Sequence, residues 1–310
     1  MTNRDGLKIV LIGAPTDVGA GARGGSMGPE ALRVAGLAEG LLAVGATCDD
    51  AGDVVGPRNP QRPFNGSARH GEEVGAWCSA VKVAVGAALG GAAIPVLMGG
   101  DHSLAIGSLA AVSEHCEREG KKLRVVWLDA HADFNAESMS PTGNIHGMPL
   151  AVLCGAEVGS LGAVVGGRKI DPACLSLVGL RSVDAGERVE LARGGARVFD
   201  MRWIDENGMR QAMEQALAGM GPTDHLHVSF DVDFLDPGIA PGVGTRVRGG
   251  PTYREAQLCM EMLADTGRVS SVDIMELNPA FDDCNATARL VVELMQSLFG
   301  KSTLWRPSEG

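Results

Sequence analysis

Leu123-Arg124-Val125-Val126-Trp127-Leu128-Asp129-Ala130-His131-Ala132-Asp133 holds the pattern from which the rest of the chain can be understood. Residues 123–128 are almost continuously apolar, as expected for a strand covered on both faces of a parallel sheet. Immediately beyond, Asp, His and Asp alternate. The same arrangement recurs twice. Residues 94–98 run into Gly99-Gly100-Asp101-His102-Ser103, and residues 226–230 run into Asp231-Val232-Asp233-Phe234-Leu235-Asp236-Pro237. Residues 8–12, 175–180 and 269–274 complete the set of strand candidates. Helical patterns lie between them at 29–42, 71–89, 103–119, 187–193, 204–220, 253–266 and 287–299, with Pro29 suited to a first helical turn. This alternation predicts an α/β fold: one domain over residues 1–310, with a doubly wound, mainly parallel sheet flanked by helices.

Composition narrows the function. Of 310 residues, 27 are Lys or Arg and 38 are Asp or Glu, and 27 − 38 gives a net charge of −11. A general nucleic-acid binder needs a basic face, so that class is excluded. The 45% hydrophobic content excludes a disordered chain. The start of the sequence lacks a signal-peptide pattern, and no apolar run reaches the ~18 residues of a membrane span. Seven scattered cysteines without a C-x-x-C pair fit reduced thiols in a cytoplasmic protein. On that view Asn65-Gly66-Ser67 and Asn285-Ala286-Thr287 are chance matches to the glycosylation pattern.

Glycine, at 44 residues, is about twice its usual share. Many glycines and prolines fall in residues 13–28, 56–65, 138–147 and 237–251, mostly after strand ends, where open α/β sheets bind ligands. Gly19-Ala20-Gly21-Ala22-Arg23-Gly24 satisfies G-x-G-x-x-G. A dinucleotide site, however, needs that motif between strand and helix without a gap, and here it sits inside a long loop.

The chemistry resides at three strand ends. On extended backbone, Asp129, His131 and Asp133 would share one side, as would Asp231 and Asp233. His102 brings the set to two imidazoles and four carboxylates. Acids packed this closely repel one another unless cations neutralise them. One Zn²⁺ needs only three or four ligands, whereas six of mixed O and N type suit two divalent ions, with Mn²⁺ the natural candidate. Two such ions about 3.5–4 Å apart can activate a shared water near neutral pH.

Gly-Gly-Asp-His-Ser, Asp-Ala-His-Ala-Asp and Ser-Phe-Asp-Val-Asp-x-Leu-Asp-Pro together resemble the metal motifs of the ureohydrolase superfamily, the arginases, agmatinases and related amidinohydrolases. The resemblance runs from Gly13-Ala14-Pro15 to Glu276-Leu277-Asn278-Pro279. It implies that His102, Asp129, Asp133 and Asp231 hold one manganese. His131, Asp129, Asp231 and Asp233 would hold the other, with Asp129 and Asp231 bridging.

Within the superfamily, residues 133–147 look most like the arginase loop. By that resemblance Asn135 and Thr142 contact the substrate α-carboxylate. Asp184 receives the α-ammonium, and Glu187 of the same segment is a further substrate-binding residue. Glu276 pairs with the guanidinium, Thr245 lines the pocket, and His146 is the proton shuttle. Neutral donors with an acid recognise an amino-acid head, and agmatine would leave the donors unpaired. Two departures stand out: Ser182 where many arginases carry Asp, and Glu137 in the carboxylate loop, which is expected to point to solvent.

The implied reaction is hydrolysis of L-arginine to L-ornithine and urea by a metal-bridging hydroxide, with Asp233 and His146 serving the leaving amine. The alternative in the same class is an agmatinase or guanidino-acid hydrolase such as one acting on guanidinobutyrate. The alternative outside it is a non-catalytic metal-binding member of the fold. The resemblance also implies a homo-oligomer, trimeric or hexameric, with a small-molecule guanidino partner, while composition and cysteine usage predict a cytoplasmic protein with neither nucleic-acid nor membrane partners.

Overall fold

The computed structural model describes residues 6–60 and 68–304. The Asn65 pattern and the end of the glycine-rich 56–65 stretch lie outside them. Eight strands among the described residues form one sheet: β1 Lys8–Ala14, β2 Thr47–Asp53, β3 Ile94–Gly99, β4 Leu123–Leu128, β5 Leu175–Leu180, β6 Arg197–Asp200, β7 His225–Asp231 and β8 Val269–Met275. Their order is β2-β1-β3-β8-β7-β4-β5-β6, and every pairing is parallel. The chain winds outward through β1 and β2, returns to β3, and then crosses to β4 with room for two strands between. β8 and β7 later fill that gap. The carboxyl ends of β3, β8, β7 and β4 are therefore neighbours at the middle of the sheet, where winding changes direction and ligands are received.

Side-chain alternation feeds two cores. Val96 and Met98 pack among the helices Gly28–Val34, Leu37–Ala43, Tyr253–Asp265 and Ala286–Leu298. Leu97, between them, faces Gly71–Gly90 and Ala105–Glu119 on the other side. The helix Gly71–Gly90 is apolar and long enough to cross a membrane by composition. Here it buries Val74, Trp77, Cys78, Val81 and Val85 against the sheet layer. All seven cysteines are free thiols.

Two expected helices are each broken in two. The 29–42 segment divides at Gly36 (φ 84°) and the 204–220 segment at Gly208 (φ 87°). Positive φ interrupts the helical hydrogen-bond ladder, and glycine adopts it without a Cβ penalty. β2 and β6 were not expected. Both are edge strands, and β2, Thr-Cys-Asp-Asp-Ala-Gly-Asp, carries no apolar run. Charge on an edge discourages pairing with other chains, which removes the pattern that betrays a central strand.

Candidate metal centre

Three strand ends, those of β3, β4 and β7, deliver the six expected metal ligands, and β8 between β3 and β7 delivers Glu276. Strand alternation is not what brings them together, contrary to expectation. β4 stops at Leu128, and Asp133 lies beyond it at φ 50°. Asp231 closes β7 and accepts from the Asp233 amide at 2.7 Å, folding residues 232–234 into a tight 3-10 turn. Turns bend both acid pairs over the strand ends.

His102 follows β3 and is buried. Its Nδ1 faces three carboxylates: Asp231 Oδ2 at 3.0 Å, Asp133 Oδ2 at 3.1 Å and Asp129 Oδ2 at 3.3 Å. Its Nε2 lies 2.8 Å from Ser229 Oγ, and Trp127 stacks on the ring at 4.1 Å between centroids. Trp127 Nε1–H also donates to Asp129 Oδ2 at 2.8 Å. His131, the most open ligand, turns its Nδ1 to Asp233 Oδ2 at 3.1 Å and Asp129 Oδ1 at 3.5 Å. Asp233 Oδ1 accepts from the Ala130 amide (3.2 Å), and Oδ2 from Thr245 Oγ1 (2.9 Å).

The protonation pattern reflects crowded charge. Burial raises the Asp133 carboxyl, and Asp129 adds to the effect, to about 7. Burial, then Asp233 and Asp129, holds Asp231 well above the usual range. For both histidines burial opposes the charge, but the carboxylates outweigh it. Asp129, Asp133 and Asp231 lift His102 well above its ordinary value, while Asp233 and Asp129 lift His131 to about 12. Carboxylates crowded so closely around two imidazoles favour bound cations. The donor sets His102–Asp129–Asp133 and Asp129–His131–Asp233 each bring their ligand atoms within 4.8 Å of one another and share Asp129. Two adjoining sets of mixed O and N donors, with Asp231 Oδ2 also 3.0 Å from His102 Nδ1, fit a pair of divalent ions.

Beside the ligands stands Glu276, at the end of β8 with φ 63°. Its Oε1 accepts from the His102 amide and lies 2.9 Å from His146 Nδ1. Burial opposes the Glu276 charge, but His146 overcomes it and holds the carboxyl below its ordinary value. In turn Glu276 lifts His146 against burial to about 9. Asp101 pins the glycine loop, accepting from the Gly19 amide (2.9 Å) and the Ser103 amide (3.0 Å). A Cβ at Gly19 would collide with Ser103 and Asp101. That loop therefore packs on the metal-site turn, consistent with the rejection of a nucleotide site.

The residues expected at the substrate head are arranged differently from one another. Asn135 Nδ2 donates to Asp184 Oδ2 at 3.0 Å, so the two expected head readers hold each other, while buried Asn135 Oδ1 has no hydrogen-bond partner among the described residues. Thr142 is exposed, and its Oγ1 accepts from the Asn144 amide. Glu187 is 3% exposed, and both its oxygens accept backbone amides, Phe134 (3.0 Å) and Asp184 (2.8 Å). Glu137 is half-buried, and its carboxylate accepts from the Gly159 amide at the surface. Ser182 aligns with His131 in an isolated bridge. Trp127 and Ser229 were missed from sequence, although each lies two residues before a ligand on the same strand face.

Residues 7–300 match the family described as Arginase family. The arginase of Bacillus subtilis (strain 168) is 42% identical over 298 residues, covering 96% of this chain and 99% of that protein. A crystal structure of arginase from Bacillus cereus superposes with a TM-score of 0.89 at 40% identity, covering 96% of this chain and all of the other. The Entamoeba histolytica arginase, solved in complex with L-ornithine, superposes with a TM-score of 0.87 at 29% identity, covering 95% and 99%. The family match over nearly the whole chain and relatives of about 40% identity covered almost end to end agree, and the chain belongs to the Arginase family.

Proposed function

We propose that the protein hydrolyses the guanidinium group of L-arginine, giving L-ornithine and urea, with two Mn²⁺ ions at the centre described above. The observation that carries this is the convergence of four carboxylates on two histidine Nδ1 atoms beside the Glu276–His146 pair. His102, Asp129, Asp133 and Asp231 would hold one ion, and His131, Asp129, Asp231 and Asp233 the other. Bound metals supply Lewis acidity and a nucleophilic water near neutral pH.

The chain's own groups do the rest. Glu276 is kept ionised and receives the planar guanidinium, which fixes the reacting carbon. Arrival of that cation displaces His146 from Glu276 Oε1. The freed imidazolium then has a proton for the departing amine. Asp233, oriented by Thr245 and the Ala130 amide, is the second group in reach of that proton. Asn135 and Asp184 exchange their mutual hydrogen bond for the α-carboxylate and α-ammonium of an amino acid. Thr142 borders the carboxylate. Glu187 acts by holding the Asp184 and Phe134 amides, a positioning role in place of the direct contact expected from sequence. The Entamoeba arginase bound to L-ornithine supports an amino-acid product by similarity. The proposal includes one catalytic domain, since a single sheet carries every ligand, and a cytoplasmic homo-oligomer, for which free thiols suit a reducing compartment.

Urea release should be measured from L-arginine, agmatine and 4-guanidinobutyrate with and without Mn²⁺. Arginine should be preferred and the rate should depend on metal. Release from agmatine but not arginine would overturn the substrate, and metal independence the whole scheme.

A further inference from the structure

Arg181 follows β5 and belongs to none of the sets assigned so far. Its guanidinium makes six hydrogen bonds, all to backbone carbonyls. Nη2 donates to Asp233 O at 2.7 Å, Leu235 O at 3.2 Å and Val247 O at 3.0 Å. Nη1 donates to Phe234 O at 3.1 Å and Gly179 O at 3.2 Å, and Nε to Val247 O at 3.1 Å. Its own amide donates to Ala130 O at 2.9 Å, and the Ala130 amide donates to Asp233 Oδ1. One planar fork therefore joins the end of β5, the turn carrying Asp233, and the loop carrying Thr245, itself bonded to Asp233 Oδ2. A Cβ at Gly250 would strike both the guanidinium and the Asp236 backbone nitrogen, so that glycine provides the room for the fork beside the Asp233 turn. The His102–Asp133 half of the centre is braced by other residues, Trp127, Ser229 and Glu276.

We propose that Arg181 is a positioning residue for one metal subsite only. It holds the Asp233 turn so that the Asp129–His131–Asp233 set binds its ion, and leaves the His102–Asp129–Asp133 set unaffected. The proposal rests on the two-metal reading above. A purely electrostatic role has the opposite sign: removing a cation near four carboxylates would tighten both subsites. Lysine keeps the charge, but its point-like ammonium cannot satisfy five diverging carbonyls.

The test titrates Mn²⁺ into metal-stripped wild-type, Arg181→Gln, Arg181→Lys and Gly250→Ala proteins, following binding by electron paramagnetic resonance. Wild type should bind two equivalents and show spin coupling between them. Each variant should bind the first equivalent as wild type does. The second should weaken by about ten- to hundredfold, the range for groups that orient metal ligands, and the coupled signal should disappear. Leu41→Ala, in the helix Leu37–Ala43, should lower thermal stability and leave both equivalents unchanged. Equal weakening of both, tightening of both, or no change would overturn the proposal. If Arg181→Gln does not fold, the lysine and Gly250 variants decide. Failure of wild type to bind a pair would instead overturn the two-metal reading itself.

Discussion

His102 separates two tasks between its ring nitrogens. Ser229 and the Trp127 stack fix the ring, which leaves Nδ1 directed at three carboxylates. His131 is more open and, without metal, is raised to about 12 by Asp233 and Asp129 against burial. Metal must displace that proton. Mn²⁺ affinity should therefore rise with pH, by about tenfold per unit for each proton released. Calorimetry in buffers of different ionisation enthalpy should show net proton release, and zero release would contradict the protonated state described. At Glu276, replacement by Gln keeps the shape but loses the ionic pair with the guanidinium. We expect kcat/KM for arginine to fall by about 10²-fold or more, corresponding to ~3 kcal/mol for a charge-assisted pair. Mn²⁺ stoichiometry should stay at two. At this scale the sequence was informative about ligands, because Asp and His at strand ends are identifiable by type and spacing. It was silent about Arg181, whose partners are all carbonyls, and misleading about Glu187, whose oxygens bind amides that no pattern marks.

Central strands could be recognised because both faces are covered, and 94–98, 123–128 and 175–180 lie within one residue of the observed limits. β2 and β6 lie at the edges, where one side of the backbone faces no strand and polar residues are tolerated. The turn that aims Asp133 was also hidden, since positive φ at a non-glycine residue leaves no compositional mark, and the single 3-10 turn that aims Asp233 is too short to show a periodicity. Element packing gives two sharper expectations. Thr252 caps the helix Tyr253–Asp265 in a reciprocal box with Glu255, so Thr252→Ala should cost about 1 kcal/mol in urea denaturation without altering activity. Gly100 leads from β3 into the His102 turn, and a Cβ there would meet the Thr16 carbonyl. Gly100→Ala should displace Asp101 and His102 together and weaken metal binding. Unchanged metal affinity would show that the turn yields without moving its ligand.

Across the whole molecule, switching the winding direction between β3 and β4 leaves the ends of four adjacent strands free to carry ligands and Glu276. Beneath that centre, His225 is buried next to Ser271. Burial, followed by His227, lowers its pKa to about 3. An unfolded His titrates near ~6.5. Above that pH neither state binds the proton, and below it the unfolded state gains one that the fold refuses. Stability should accordingly fall as pH drops from about 6.5 towards 3, by up to ~1.4 kcal/mol per unit from this group. Metal-free His225→Gln should show a shallower decline than metal-free wild type between pH 6 and 4, and parallel declines would rule His225 out as a source. The central claim, a two-metal arginine hydrolase, is tested most directly by stripping the protein of metal and titrating Mn²⁺ while following urea formed from L-arginine. Activity should rise from near zero and saturate at two equivalents per chain. Saturation at one equivalent, or no urea at any metal concentration, would contradict it.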